Sequence, residues 1–269
     1  MNKKVFLSFM SWAEIKEALE SGTDMVIVPC GSSEQHGPHR PTGDDWIFAL
    51  EASIRIAEKM DEAVVSPPLT VGVAPYHMEW PGTVTLPRCF HKELVKHVVK
   101  SLHHHGFKRF VLLNTHGGNT FSLKIAQTEL KEEVPDLKVA YTPWWSVCTK
   151  TFVEEELGLP YEKWDGSHGG GSQTSCMLAI EKKYGLNLVD VARAPPASRD
   201  LPILQGHTGN PYASLPLTGK AFKRYSPNGV MYKLDDSNKL ADPEIGERTL
   251  DKMASFLAKQ LKDPDTWLW

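Results

Sequence analysis

The chain has 269 residues, 41% of them apolar and 23% charged, the composition of an ordinary globular protein long enough to bury a core without staples. Thirty basic against thirty-three acidic residues leave a net charge of -3, so nothing points to nucleic acid or an anionic membrane as partner. Four scattered cysteines (Cys30, Cys89, Cys148, Cys176) without a CxxC pair exclude a disulfide scaffold, and the absence of a secretory leader or a membrane-length apolar run makes the cytoplasm the expected location.

In chain order, Ser11 and Glu14 form a capping box, which predicts a helix running to Gly22. Residues 25–33, MVIVPCGSS, read as a buried strand ending in a turn, and EQHGPHRPTGDD after it as a loop. A helix is expected over 45–59, a strand over 63–69, a helix over 91–105 and a strand over 109–115. A helix over 119–132, a strand over 137–142, and helices over 172–184 and 243–261 follow. Residues 195–240 are rich in Pro, Gly, Ser and Asn and read as long loops with at most short strands. Strands alternating with helices predict a mainly parallel sheet covered on both faces, a three-layer α/β/α sandwich in a single domain, residues 1–269. In such sheets ligands gather beyond the carboxyl ends of the strands.

Two polar clusters fall at such ends, and a third precedes a helix. Glu34 and His36 are two apart and share one side of an extended segment, and Asp45 at the start of the next helix can swing back to meet them. Two carboxylates and an imidazole suit zinc, manganese or iron; the plain alternative is a polar loop with a helix cap. His116 ends a strand, and Gly117, Gly118 and Asn119 after it permit close approach of backbone to a ligand; the alternative is a tight turn capped by Asn119. His168 precedes three glycines and a helix, placing it either as a proton carrier or in a flexible loop. His77, Trp145 and Trp164 stand in segments that can wall a pocket or pack in the core. No GxSxG, GxxxxGK[ST] or GxGxxG occurs, which sets aside a serine hydrolase and a phosphate-loop nucleotide binder.

EQHGPH followed by Asp45, then HMEWPGT, NTHGGN, SHGGGSQTS and SPNGV, in that order, resemble the creatininase family over about residues 5–260. The resemblance implies an α/β/α fold, a homohexamer, a small-molecule substrate, and one or two divalent metals (Zn, Mn or Fe) per chain. It assigns Glu34 and His116 to one metal, His36 to the other and Asp45 as the bridge, with Glu34 and His168 in catalysis. Gly118 replaces a metal-binding glutamate of creatininase itself, and Gln173 stands where many relatives have glutamate, so Gln173 is the candidate for a second metal or its support. Both departures argue against creatinine as the substrate. The expected activity is metal-dependent hydrolysis of a cyclic amide or another non-peptide C–N bond. The alternatives are ring-opening C–C hydrolysis of a carbocyclic diketone such as a diketo-inositol, and a non-catalytic metal- or sugar-binding protein.

Overall fold

The computed structural model describes residues 4–161, 164, 166–197, 218–231 and 237–267. Its strands are β1 (Met25–Cys30), β2 (Ala63–Val65), β3 (Arg109–Asn114) and β4 (Lys138–Pro143). They form one sheet in the order β2-β1-β3-β4, and every pairing is parallel. Parallel neighbours need a crossover of a dozen or more residues. Helices provide it: α2 (Asp44–Glu58), α3 (Arg88–His104) and α4 (Thr120–Glu133) lie between successive strands. Helix α1 (Trp12–Glu20) precedes β1 and starts at the expected capping box, with Ser11 accepting from Glu14 N. Helices α5 (Gly171–Tyr184), α6 (Gly219–Tyr225) and α7 (Pro243–Lys262) follow the sheet.

Alternation along the strands builds two cores. Met25, Ile27, Val111 and Leu113 face one way and pack with Ile56 of α2, Ile180 of α5 and Leu250 of α7. Val26, Val28, Phe110 and Leu112 face the other way, against Val95 and Val99 of α3 and Leu123 and Leu130 of α4. Covering both faces is what lets β1 and β3 be almost continuously apolar. The molecule is the α/β/α sandwich that the alternation predicts.

The differences from expectation are local. Strand β2 stops at Val65, because Pro67 and Pro68 have no N–H to give the ladder. Helix α3 begins three residues early, directly after Pro87. Helix α6 lies in the stretch expected to be loop; it is capped by Thr218, whose hydroxyl accepts from Ala221 N. Most of residues 195–240, including any short strand there, lie outside the described residues. Among the described residues no helix is long and apolar enough to cross a membrane.

Two features aim chemistry at one edge. Cys30 of β1 pairs with Asn114 of β3, so the loops leaving these strands start side by side. Gly31 then lets α2 close in: a Cβ there would lie 2.4 Å from Cα of Trp46. With only a hydrogen at Gly31, the first turn of α2 reaches the end of β1 and brings Asp44 and Asp45 to the loop that carries Glu34 and His36.

Candidate metal centre

Glu34, His36, Asp44, Asp45 and His116 are all nearly inaccessible to solvent. Buried ionisable groups demand partners, and these face one another. Glu34, Asp45 and His116 each offer a donor atom within 4.8 Å of the others, as do His36, Asp44 and Asp45, and Glu34, His36 and His168. His116 Nδ1 lies 3.0 Å from Glu34 Oε2 and 3.2 Å from Asp45 Oδ2, and His36 Nε2 lies 3.2 Å from Asp45 Oδ1.

The outer ring nitrogens explain this convergence. His116 Nε2 donates to the Val73 carbonyl at 2.9 Å, and His36 Nδ1 lies 3.2 Å from the Glu34 carbonyl. A carbonyl can only accept, so in each neutral ring the other nitrogen is a bare lone pair turned towards carboxylates. Lone pair against carboxylate is repulsive unless a proton or a cation lies between them, and a carbonyl behind the ring is the usual support of a metal-ligating histidine. Glu34 Oε2, His36 Nε2 and Asp45 Oδ2 also have no aligned hydrogen-bond partner. The donor set therefore fits a divalent cation. Without one, burial works against the imidazolium of His116, but Glu34 and Asp45 outweigh it and hold its pKa well above the ordinary value. At His36 burial is likewise outweighed by Asp45 and Asp44. Burial pushes the carboxyl of Glu34 up, whereas at Asp45 the two histidines overcome burial and pull it down.

The loop ends are stitched from behind. The Thr115 hydroxyl donates to the Asp45 carbonyl at 2.9 Å, tying β3 to α2. Asn119 donates through Nδ2 to the Gly31 carbonyl and accepts through Oδ1 from Val73 N, both at 2.9 Å. Its amide thus joins three segments. Gly118 is packed as closely: a Cβ there would meet the Val73 carbonyl oxygen at 2.0 Å and His116 Nε2 at 2.4 Å. This backbone leaves no room for any side chain at 118, a carboxylate included.

Beyond the cluster opens a cavity of about 470 Å³. Of the residues expected to contact substrate, His77, Gly117 and Trp145 line it, with Glu34, Asp45, His116, His168 and Gln173. Gly118 and Asn119 sit behind the wall in the scaffold, and Trp164 packs against the core. His77 is itself buried, its Nε2 3.3 Å from Glu34 Oε1. Gln173 Oε1 accepts from Arg40 Nη1 at 3.0 Å and Gly169 N at 3.3 Å. To serve as a ligand, that oxygen would have to leave Arg40.

Three groups are not evident in the sequence. Gln35 Nε2 lies 2.7 Å from His77 Nδ1, 2.7 Å from the Gly229 carbonyl and 3.2 Å from His168 Nε2, while its Oε1 accepts from Gly37 N. Arg40, buried, forks onto both oxygens of Asp44. Tyr76, also buried, has its hydroxyl against Gly118 and its ring stacked on His116. His168 stacks on His77, and its Nδ1 is 3.7 Å from Glu34 Oε1. Burial, then His36 and His77, hold its pKa well below the ordinary value, which favours the neutral imidazole. The only sequence signal for Gln35 and Arg40 is their place inside the 34–45 motif.

A second and larger groove, about 1250 Å³, lies between α2, α5 and α7, where Arg55 and Lys59 face Glu247 and Asp251 in ion pairs. No group of metal donors lies there among the described residues.

The family model described as creatinine amidohydrolase matches residues 8–261. A creatinine amidohydrolase of Pseudomonas putida is 30% identical over 212 residues, 74% of this chain and 80% of that protein. A 3-dehydro-scyllo-inosose hydrolase of Thermotoga maritima is 31% identical over 67% of this chain, but the match spans only 57% of that longer protein. A solved manganese form of creatininase superposes with a TM-score of 0.74 at 26% identity, over 99% of this chain and 100% of the other. The match to the whole sandwich, from α1 to α7, shows that this chain belongs to the creatininase family of hydrolases.

Proposed function

We propose that the protein is a metal-dependent hydrolase that opens a cyclic amide, or cleaves another non-peptide C–N bond, by attack of water at a carbonyl. The observation that carries the reading is the pair of buried histidines, His36 and His116, each turned bare side inward to carboxylates by a carbonyl behind it. Glu34, Asp45 and His116 would hold one cation, with His36 and Asp45 the donors for a second. Zinc, manganese or iron in such a site lowers the pKa of water and polarises a carbonyl.

The chain's own groups do the rest. His168, neutral and within reach of Glu34, takes a proton from the attacking side and returns it to the leaving nitrogen. Gln35 positions His168 and His77 together, so Nε2–H of His77 faces Glu34 and fixes that carboxylate. Trp144, Trp145 and Phe121 give the cavity an apolar wall for the body of a substrate. Gly118 argues against creatinine as the substrate, since the backbone admits no glutamate there. The likeness to an inosose hydrolase supports a second reading, C–C cleavage of a carbocyclic diketone. We infer a cytoplasmic location, and the homohexamer that the family resemblance implies.

Turnover in ¹⁸O-labelled water tests both. The metal-loaded protein meets creatinine, formylamino-pyrimidines, simple lactams and cyclic polyol diketones, and products are weighed by mass spectrometry. Label in an opened lactam or a released formate is the expected result. Label in a carboxylate from the carbocycle selects the second reading. No incorporation from any member leaves a binding protein and refutes the proposal.

A further inference from the structure

We propose that the substrate carries a carboxylate remote from the bond that is broken, and that Lys124 receives it. This rests on the reading of the cavity as a hydrolytic site. The cavity runs from Glu34, Asp45 and His116 to Thr120 and Lys124 on α4, and Lys124 is the lysine or arginine among its described lining residues.

Three observations set this ammonium apart. First, it has no carboxylate partner among the described residues, although lysines on the neighbouring helix are all paired: Lys92, Lys96 and Lys100 of α3 bridge to Glu129 and Glu133 of α4. Second, although Lys124 is exposed, it has an aromatic perch. Lys124 Nζ sits 5.7 Å over the Tyr141 ring, and that ring is held at its hydroxyl, which donates to Thr120 Oγ1 at 3.2 Å and accepts from Asn114 Nδ2 at 3.3 Å. Third, Thr120 lies on the same cavity wall, at the start of a 14-residue helix that continues from the turn Gly117–Asn119 and whose first N–H is taken by the Gly117 carbonyl. Lys124 lies one turn further along the same face, so the Thr120 hydroxyl and the ammonium border the same part of the cavity.

A single ammonium is a compact point charge with three donors, and one such charge is balanced by a group of one negative charge, a carboxylate. A substrate anchored at Lys124 by its carboxylate would lay its other end towards the carboxylate and imidazole cluster, where the carbonyl is attacked.

The test uses ligands that grip a metal whether or not they turn over. Acetohydroxamate is compared with the monohydroxamates of dicarboxylic acids having two to four methylenes, by calorimetric titration of the zinc-loaded full chain. At least one tethered carboxylate should bind about fivefold more tightly than acetohydroxamate, the scale of a partly screened ion pair. Lys124→Ala should abolish that gain without weakening acetohydroxamate, and Lys124→Arg should keep it. If acetohydroxamate binds and no carboxylate improves on it, or if the gain survives Lys124→Ala, the proposal is overturned. If acetohydroxamate itself does not bind, the hydrolytic reading of the cavity fails, and this proposal with it.

Discussion

At Gly118 a hydrogen in place of a side chain lets Val73, Tyr76 and His116 meet. A methyl group there would sit 2.0 Å from the Val73 oxygen, the acceptor that sets the orientation of His116. Gly118→Ala should therefore cost about 1–3 kcal/mol of stability, as overpacking does, and lower zinc content by disturbing His116. Urea unfolding and zinc analysis of the dialysed variant check this; an unchanged midpoint with full zinc would mean that residues 73–76 yield freely. At this scale the sequence is half legible. Glu34, His36, Asp45 and His116 stand out because ligand chemistry needs those residue types at strand ends. Gln35 does not, because its partners His168 and Gly229 are 133 and 194 residues away and only the folded chain brings them near. Asn119 looks like a ligand contact in the sequence, yet its amide is fully engaged in holding Gly31 and Val73.

Among the elements, α2, α5 and α7 are joined by a network around the buried Glu51. Its Oε1 accepts from Arg55 Nε at 2.5 Å and Lys183 Nζ at 2.8 Å, its Oε2 from Tyr184 at 2.7 Å, and Arg55 reaches on to both oxygens of Glu247. Burial raises the pKa of Glu51, but the bonds from Lys183, Tyr184 and Arg55 outweigh it and leave it below the ordinary 4.5. A depressed carboxyl contributes stability above pH 4.5 and loses it as pH falls through the folded value. Glu51→Gln should destabilise by about 2 kcal/mol at pH 7, since it leaves the buried guanidinium of Arg55 short of a partner, and the gap to wild type should narrow below pH 4. Urea unfolding at both pH values decides; a gap that persists in acid would assign the loss to packing. The lysine–glutamate ladder between α3 and α4 lies at the surface apart from the covered stem of Lys96, and solvent screening leaves each of its pairs weak. Elements with caps or strict periodicity, such as α1 and α7, are legible in the sequence. Helix α6, seven residues within a stretch rich in proline and glycine, is not, because its Thr218 cap and its packing on residues 75–77 outweigh a weak local preference.

For the whole molecule, the candidate site is a junction: Glu34 and His36 follow β1, Asp45 opens α2 and His116 follows β3. A cation bound there ties these segments together only in the folded state, so it must stabilise the fold by mass action. Zinc at a hundredfold excess over its dissociation constant should add about 2.7 kcal/mol, and removing it with a chelator should lower the melting temperature by roughly 5–10 °C for a chain of this size. Scanning calorimetry with and without chelator checks this, and superimposable traces would remove the metal from the account. The alternation of strands and helices makes the sandwich legible from sequence. The strand order β2-β1-β3-β4 is not, because nothing local to β1 states that both β2 and β3 will pair with it.

Arg40, clamped on Asp44, gives the centre a permanent positive charge. Three carboxylates, Glu34, Asp44 and Asp45, then face one guanidinium, and a single divalent ion brings the whole assembly to electroneutrality. Such a centre has little residual field to attract or repel dissolved ions, and its burial shuts out screening. Protons, by contrast, compete directly for the nitrogens of His36 and His116 and the oxygens of Glu34. Acidity, far more than ionic strength, would thus be the variable that governs how tightly this centre holds a divalent ion.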